Sequence, residues 1–282
     1  MEKKLCIHVP IPFATKKCSC DPEYYIVDAD MQVRSDYLDA LSREMMLTAP
    51  ECDDYTVTTI LFDGGPVQSF PPAALPVFVN RILKNYRCAK DPAVILTADP
   101  FEIDHVKAAN YSACGVTLAD VRLFSSIRAE CEAVNRPFPH RTFAHAAQAL
   151  RSFNLKDFGA QVFCNLPGQT AGSLGETLSE CIGEGAKHIS LDYLEPYNKA
   201  QYQYAVDVLK KNGYAEYAPG KFGAGGFAFD CYPLGETDVL GLGLNAMTVM
   251  DGVRSVTTGD LKTYLAHSGD VTQTAVEVAA VL

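Results

Sequence analysis

Cys18 and Cys20 are two thiols separated by a single residue, with Lys16 and Lys17 immediately before them. Nearby ammonium groups lower a thiol pKa and favour the thiolate, the form that attacks and that binds metals. A Cys-x-Cys in that setting suits zinc, haem iron or thiol redox chemistry. A four-iron cluster asks for more, since it is held by three or four thiolates. Cys6 is the next thiol in sequence; pointing inward from a strand it would supply a third, and its other reading is a buried, inert small side chain. Cys88, Cys114, Cys131, Cys164 and Cys181 read as small buried apolar residues and receive no ligand role.

The elements around these thiols follow from patterning. Leu5 to Val9 reads as a short buried strand that Pro10 and Pro12 end, and the loop that follows carries the two cysteines. A strand running into a chemistry-bearing loop places a site at the C-terminal mouth of a barrel. Helices are predicted over Met31–Leu47, Leu75–Tyr86, Ile103–Ser112, Phe143–Phe153 and Leu174–Ile182, and strands over Thr56–Phe62, Ala93–Ala98, Leu118–Phe124, Gly159–Cys164 and Lys187–Leu194. The repeat of roughly 30 residues is that of βα units with a parallel sheet. The expected fold is therefore α/β: a partial (β/α)6 barrel over residues 1–196, then a small mixed α/β extension over 197–282. Two glycine features stand at strand ends: Asp63-Gly64-Gly65-Pro66, and Gly241 and Gly243 within Leu240–Leu244. A glycine pair after a strand serves close approach of a ligand or simply a tight turn.

Composition narrows the class. A net charge of −10 argues against a nucleic-acid surface, which needs Lys and Arg to neutralise phosphates. It favours a small-molecule ligand or a basic partner. No apolar run reaches the ~18 to 20 residues of a membrane span, and Met1-Glu2-Lys3-Lys4 leads into a strand, not a signal-peptide core. Ten cysteines without a secretory signal read as reduced thiols of a cytoplasmic protein.

The run from His8 to Cys20, the Gly64-Gly65 pair, the segment Leu166-Pro167-Gly168-Gln169-Thr170 and the loop Leu240-Gly241-Leu242-Gly243 together resemble the radical S-adenosylmethionine proteins related to oxygen-independent coproporphyrinogen III oxidase (HemN) and the haem chaperone HemW. That family opens with Tyr-x-His-x-Pro-Phe-Cys-x3-Cys-x2-Cys-Asp, whose three Cys hold a [4Fe-4S] cluster with one iron free for S-adenosylmethionine. The resemblance implies both cofactors and a tetrapyrrole-type ligand. It makes Cys18, Cys20 and Cys6 the metal candidates and Gly64, Gly65, Gly241 and Gly243 the cofactor-binding candidates. In register with the family, Ala14 stands at the first Cys, Cys18 at the second, and Cys20 one residue early for the third; Cys6 stands at the tyrosine. The family's cofactor-binding Glu, Gln, Arg and Asp fall on Thr97, Phe124, Phe138 and Gln161, with Arg136 and Arg141 beside the third. His140 matches the family's turn histidine and reads as a ligand, a base or a helix-capping residue. Phe229-Asp230-Cys231-Tyr232 stands where the family has a His-Asn and an aromatic pair. The chain stops about where the family's C-terminal domain begins, so that domain is expected to be absent.

Fold-defining residues persist while cluster- and cofactor-binding ones are replaced. The first reading is a degenerate member that keeps the barrel, has lost the standard cluster, and binds a tetrapyrrole, a nucleotide or a protein partner. The second is an active coproporphyrinogen-oxidase-like enzyme with an atypical cluster loop. The third is a zinc, haem-iron or thiol-redox protein using Cys18 and Cys20.

Overall fold

The computed structural model describes residues 3–14, 16–20, 26–27, 29–138, 143–155, 157–227 and 237–280. In chain order the elements are β1 (Lys3–Ile11), β2 (Phe13–Ala14), β3 (Ile26–Val27), α1 (Met31–Thr48), β4 (Tyr55–Gly64), α2 (Ala74–Asn85) and β5 (Cys88–Ala98). There follow α3 (His105–Ala113), β6 (Leu118–Phe124), α4 (Arg128–Ala133), α5 (Phe143–Ser152), β7 (Asp157–Cys164), α6 (Ala171–Gly183), β8 (His188–Tyr193), α7 (Lys199–Lys211), β9 (Tyr214–Ala218) and β10 (Lys221–Ala224). The chain ends with β11 (Asp238–Gly241), β12 (Met247–Met250), β13 (Val253–Thr257), α8 (Leu261–His267), α9 (Val271–Thr274) and β14 (Ala275–Ala280). Strands β1, β4, β5, β6, β7 and β8, each followed by helix, make a partial (β/α)6 barrel with a small mixed α/β extension. The strand–helix rhythm of the sequence predicts this class. Among the described residues no helix is long and apolar enough to cross a membrane.

The chain divides into two compact units. The first comprises Met1–Thr15, Glu23–Leu96 and Phe229–Leu282, and the second Lys16–Pro22 and Thr97–Ala228. In the first, β1 lies between β4 and β11 and is parallel to both, while β11, β12, β13 and β14 continue antiparallel. Leu5, Ile7, Val9 and Ile11 alternate along β1 and are wholly buried, as is Cys6 between them, so the strand is covered on both faces. Phe13, Tyr37, Phe70, Phe78 and Tyr264 pack ring to ring beside them, with Phe13 edge-on to Tyr37 at 5.2 Å.

β1 does not end at Pro10, as the sequence predicts, but runs on to Ile11. Residues alternate in the direction of their peptide groups: His8 accepts from the Leu242 N–H on the β11 side, and Ile11 from the Gly65 N–H on the β4 side. Pro10 therefore turns its nitrogen toward β11, past the last β1–β11 pair at His8 and Gly241. No ladder bond is asked of it there, so the missing N–H costs nothing.

In the second unit β6, β7 and β8 are parallel, and β6 is buried along its whole length. The Gly-rich stretch after Tyr217 contains β10, antiparallel to both β8 and β9. Gly223 is required there because a Cβ would fall 1.7 Å from the Phe227 carbonyl oxygen. The turn that most resembles the family builds architecture: Thr170 caps α6 in a capping box with Ser173, and Asn165, at φ 66°, donates to the carbonyls of Leu194 (2.9 Å) and Pro196 (2.5 Å). Gln169 ties the same turn to the Phe163 carbonyl at 2.9 Å and to Gln201 at 3.1 Å.

Candidate functional site

The cysteine loop belongs to the second unit, and its described part, Lys16 to Cys20, is tethered. The Ser19 N–H donates to the Val134 carbonyl at 2.9 Å, and Asn135 donates to the Lys17 carbonyl at 2.8 Å. Cys18 is 3% exposed and packs in an apolar cluster with Phe124, Val134, Phe163 and Leu166, against which Cys20 is partly buried. The Cys20 N–H donates to Cys18 Sγ at 3.3 Å. The loop thus holds its first thiol as a core residue.

Phe124 closes that cluster from the end of β6. Its φ of 68° is a left-handed conformation that a bulky residue adopts only when its surroundings over-determine it. Those surroundings are present: the Phe163 ring lies 4.4 Å away, and the Arg136 guanidinium stacks on the Phe124 ring at 3.9 Å, with Arg122 at 5.5 Å. Arg136 also pairs with the buried Asp99 at 2.6 Å and donates to the Arg122 carbonyl, while Arg122 stands 3.6 Å from the same carboxylate. Two arginines, one aspartate and one phenylalanine from three segments of the second unit, Arg122 and Phe124 both on β6, thereby form a closed cation–π and ion-pair knot. Sequence reading reached Arg136 only as a neighbour of Phe138, which instead lies against Arg128 at 5.0 Å. His140, Arg141 and the segment Phe229 to Tyr232 lie outside the described residues.

In the first unit, the end of β4 supplies Asp63, Gly64 and Gly65. His8 Nε2 and Asp63 Oδ1 are 2.5 Å apart, both half-buried, at the C-terminal ends of adjacent parallel strands. Burial alone draws the imidazole down; the charge of Asp63 and its hydrogen bond outweigh that and leave His8 above the ordinary histidine value. Gly64 has φ 82°, and a Cβ on Gly65 would lie 2.4 Å from the Phe13 carbonyl oxygen and 2.8 Å from that of Ile11. Backbone conformation accounts for Gly64, and packing of the chain on itself for Gly65. Cys6 is wholly buried two residues before His8, about 7 Å deeper along β1.

Gly241 and Gly243 have similar reasons. A Cβ at Gly241 would strike the Met247 backbone at 2.5 Å, and one at Gly243, whose φ is 111°, would come 2.4 Å from the Tyr37 hydroxyl. The Gly243 N–H donates at 2.8 Å to Glu44 Oε2, which also accepts from the Tyr264 hydroxyl at 2.6 Å. Burial pushes the Glu44 carboxyl up to about 7, against the pull of those two hydrogen bonds. Glu44 escaped the sequence reading, yet a signal existed. With Tyr37, Leu41, Met45 and Thr48 it falls on the buried stripe of α1.

Among the described residues no group of three or more His, Cys, Asp or Glu side chains is placed to hold a metal ion. Ala14 brings no ligand, and Cys18 is committed to an apolar cluster. The residues present do not fit the three-thiolate set that the motif resemblance implies.

No family model matches the chain. In sequence it is similar to the haem chaperone HemW of Bacillus subtilis (strain 168), 22% identical over 285 residues that cover 92% of this chain and 74% of that protein. HemW of Synechocystis sp. is 23% identical over 279 residues, covering 88% of this chain and 66% of the relative. The oxygen-independent coproporphyrinogen III oxidase of Salmonella typhimurium is 27% identical over 124 residues, 42% of this chain and 27% of that enzyme. Among solved structures, coproporphyrinogen III oxidase (HemN) from Escherichia coli, described as a radical SAM enzyme, superposes with a TM-score of 0.87 at 19% identity. It covers all of this chain, which spans 73% of that one.

Proposed function

We propose, taking as premise that this chain is a homologue of HemW and HemN with the radical S-adenosylmethionine fold of HemN, that it is a degenerate member which holds a tetrapyrrole and does not cleave S-adenosylmethionine. Reductive cleavage needs a cluster iron with an open coordination position, and the cluster needs thiolates free to reach it. The observation that carries the reading is the burial of Cys18 beneath Phe124, Phe163, Val134 and Leu166. A thiol in an apolar cluster is disfavoured as thiolate and acts as a packing residue. Cys18 and Cys20 then anchor the loop, and Cys6 fills β1.

The cofactor contacts support the same reading. Where the motif resemblance asks for carboxylates, this chain has Thr97 and Gln161. A threonine offers one hydroxyl, and the Gln161 amide donates to Asp192 at 2.7 Å. Gly65, Gly241 and Gly243 stay in place because the chain packs on itself there, and Gly64 because of its positive φ. Tetrapyrrole is proposed as the ligand because HemW is named a haem chaperone and HemN a coproporphyrinogen oxidase.

Two measurements test this. Anaerobic reconstitution with iron and sulfide is expected to leave the chain without a stoichiometric cluster; near four irons per chain, with 5′-deoxyadenosine formed from S-adenosylmethionine, would establish the active reading instead. Haemin titration is expected to give a saturable Soret shift. A saturable response to a nucleotide or to zinc, with none to haemin, would reassign the ligand.

A further inference from the structure

Glu44 joins three parts of the first unit that are distant in the chain: α1, which carries it, the loop after β11, and α8. It is 5% exposed. Both protein donors that reach its carboxyl, the Gly243 N–H at 2.8 Å and the Tyr264 hydroxyl at 2.6 Å, converge on Oε2. No Lys or Arg among the described residues pairs with it. A buried charge without a counter-charge is costly, so ionisation works against the contacts that bury the group.

The segments it ties down depend on that tie. Helix α8 is 7 residues long, and Tyr264, whose hydroxyl bonds to Glu44, is its buried residue. So short a helix keeps its place by tertiary contact and not by its own stability. Arg43 adds a bond to the Leu265 carbonyl at 2.9 Å, and the turn after α8 lies close enough to α1 that a Cβ on Gly269 would come 2.7 Å from Leu47 and 3.4 Å from the Glu44 Cα. The loop and the approach to α8 are bonded to each other. Asn245 donates to the Thr258 carbonyl at 3.2 Å, and Thr257 to that of Ala246 at 2.9 Å.

Few other groups around Glu44 change charge near neutral pH. Burial holds the hydroxyls of Tyr37, Tyr86 and Tyr264 and the thiol of Cys52 up, so all four stay protonated. Arg43 keeps its positive charge at the Leu265 carbonyl, and the exposed Glu51, which shares a cavity wall with Glu44, adds negative charge that opposes ionisation. The loop 242–246 brings no titratable side chain. At the end of α8, the Asp270 carboxyl is held low by its hydrogen bond from Thr272, with His267 adding to this.

We propose that Glu44 is a proton-dependent latch: protonated, it holds α8 and the loop Gly243–Ala246 against α1, and once its proton leaves to solvent those two segments open from α1 together. The device uses neither the cysteine loop nor any tetrapyrrole.

Hydrogen exchange of the whole chain, read amide by amide from pH 5 to pH 8 and corrected for the intrinsic exchange rate, tests this. Protection of the Gly243 and α8 amides should fall by roughly fifty- to a hundredfold, most of it below pH 7, because the open form carries an ordinary carboxyl and the closed form one pushed up to about 7. Amides of β1 should keep their protection. Glu44→Gln accepts the same two hydrogen bonds without titrating and should hold protection level across the range, while His267→Gln should leave the wild-type decline in place. A level wild-type profile, an undiminished decline in Glu44→Gln, a decline abolished in His267→Gln, or a parallel loss in β1 would overturn the proposal. Should Glu44→Gln fail to fold, the wild-type, β1 and His267→Gln readings still decide it.

Discussion

At the scale of single residues, two titratable groups in the first unit are both shifted upward, for different reasons. The Glu44 carboxyl has an ordinary value of 4.5 and is pushed up to about 7 in the fold. Between those values the native state holds a proton that the unfolded chain has released. Stability is therefore greatest below the lower value and is lost as pH rises through the upper one, by about 3 kcal/mol at most. Glu44→Gln should flatten this decline, so thermal unfolding followed from pH 5 to pH 8 should show the wild type losing ground to the variant; parallel curves would contradict the assignment. His8 differs because its shift depends on a partner. Asp63 holds the imidazole up against burial, and its contribution to stability is present at low pH and lost as pH rises through the folded value. Asp63→Asn leaves burial unopposed and should drop His8 below 6.5, read from the imidazole resonances in an NMR titration. An unmoved titration would mean that the pairing at 2.5 Å does not govern the ring.

At the scale of elements, the glycines at strand ends separate what the sequence makes legible from what it does not. The pairs 64–65 and 241–243 were visible as turns, but their sequence is silent on whether a ligand or the chain itself makes the close approach. At Gly65 it is the chain: a Cβ there would overlap the carbonyl oxygens of Phe13 and Ile11, which belong to the first strand and its continuation. Gly65→Ala must displace backbone, not a flexible side chain. It should destabilise the fold by about 1–3 kcal/mol or more, read as a lower denaturation midpoint. Helices α1, α2, α3, α5 and α6 and the six barrel strands were legible because apolar periodicity switches between 3.6 and 2. The strand Lys221–Ala224 was not, because its glycine content reads as loop until the Phe227 carbonyl is seen to need the space of Gly223. Nor was the Asp99–Arg122–Arg136–Phe124 knot, whose members come from the end of β5, from β6 and from the segment after α4.

For the whole chain, similarity of fold stands beside a departure from the motif at the position of Ala14. The relation to HemN extends over the entire chain at 19% identity, which speaks for architecture alone. What persists in sequence, such as the Leu166–Thr170 turn, is what the fold uses: the cap on α6 and the bonds of Asn165 and Gln169 that tie strand ends together. What has changed lies where the motif resemblance placed cluster ligands, at Ala14 and in the shortened spacing of Cys18 and Cys20. If the deficit were one missing thiol, restoring it would restore the cluster. On the proposed reading, the packing of Cys18 with Phe124, itself clamped by Arg136, takes the space that cluster ligands would need. Ala14→Cys alone should therefore leave iron and sulfide well below four per chain after anaerobic reconstitution. Only a variant that also lengthens the Cys18–Cys20 spacing and shortens Phe124 should approach it. A full cluster in the single variant would show that one sulfur was all the chain lacked, and the packing argument would fail with it.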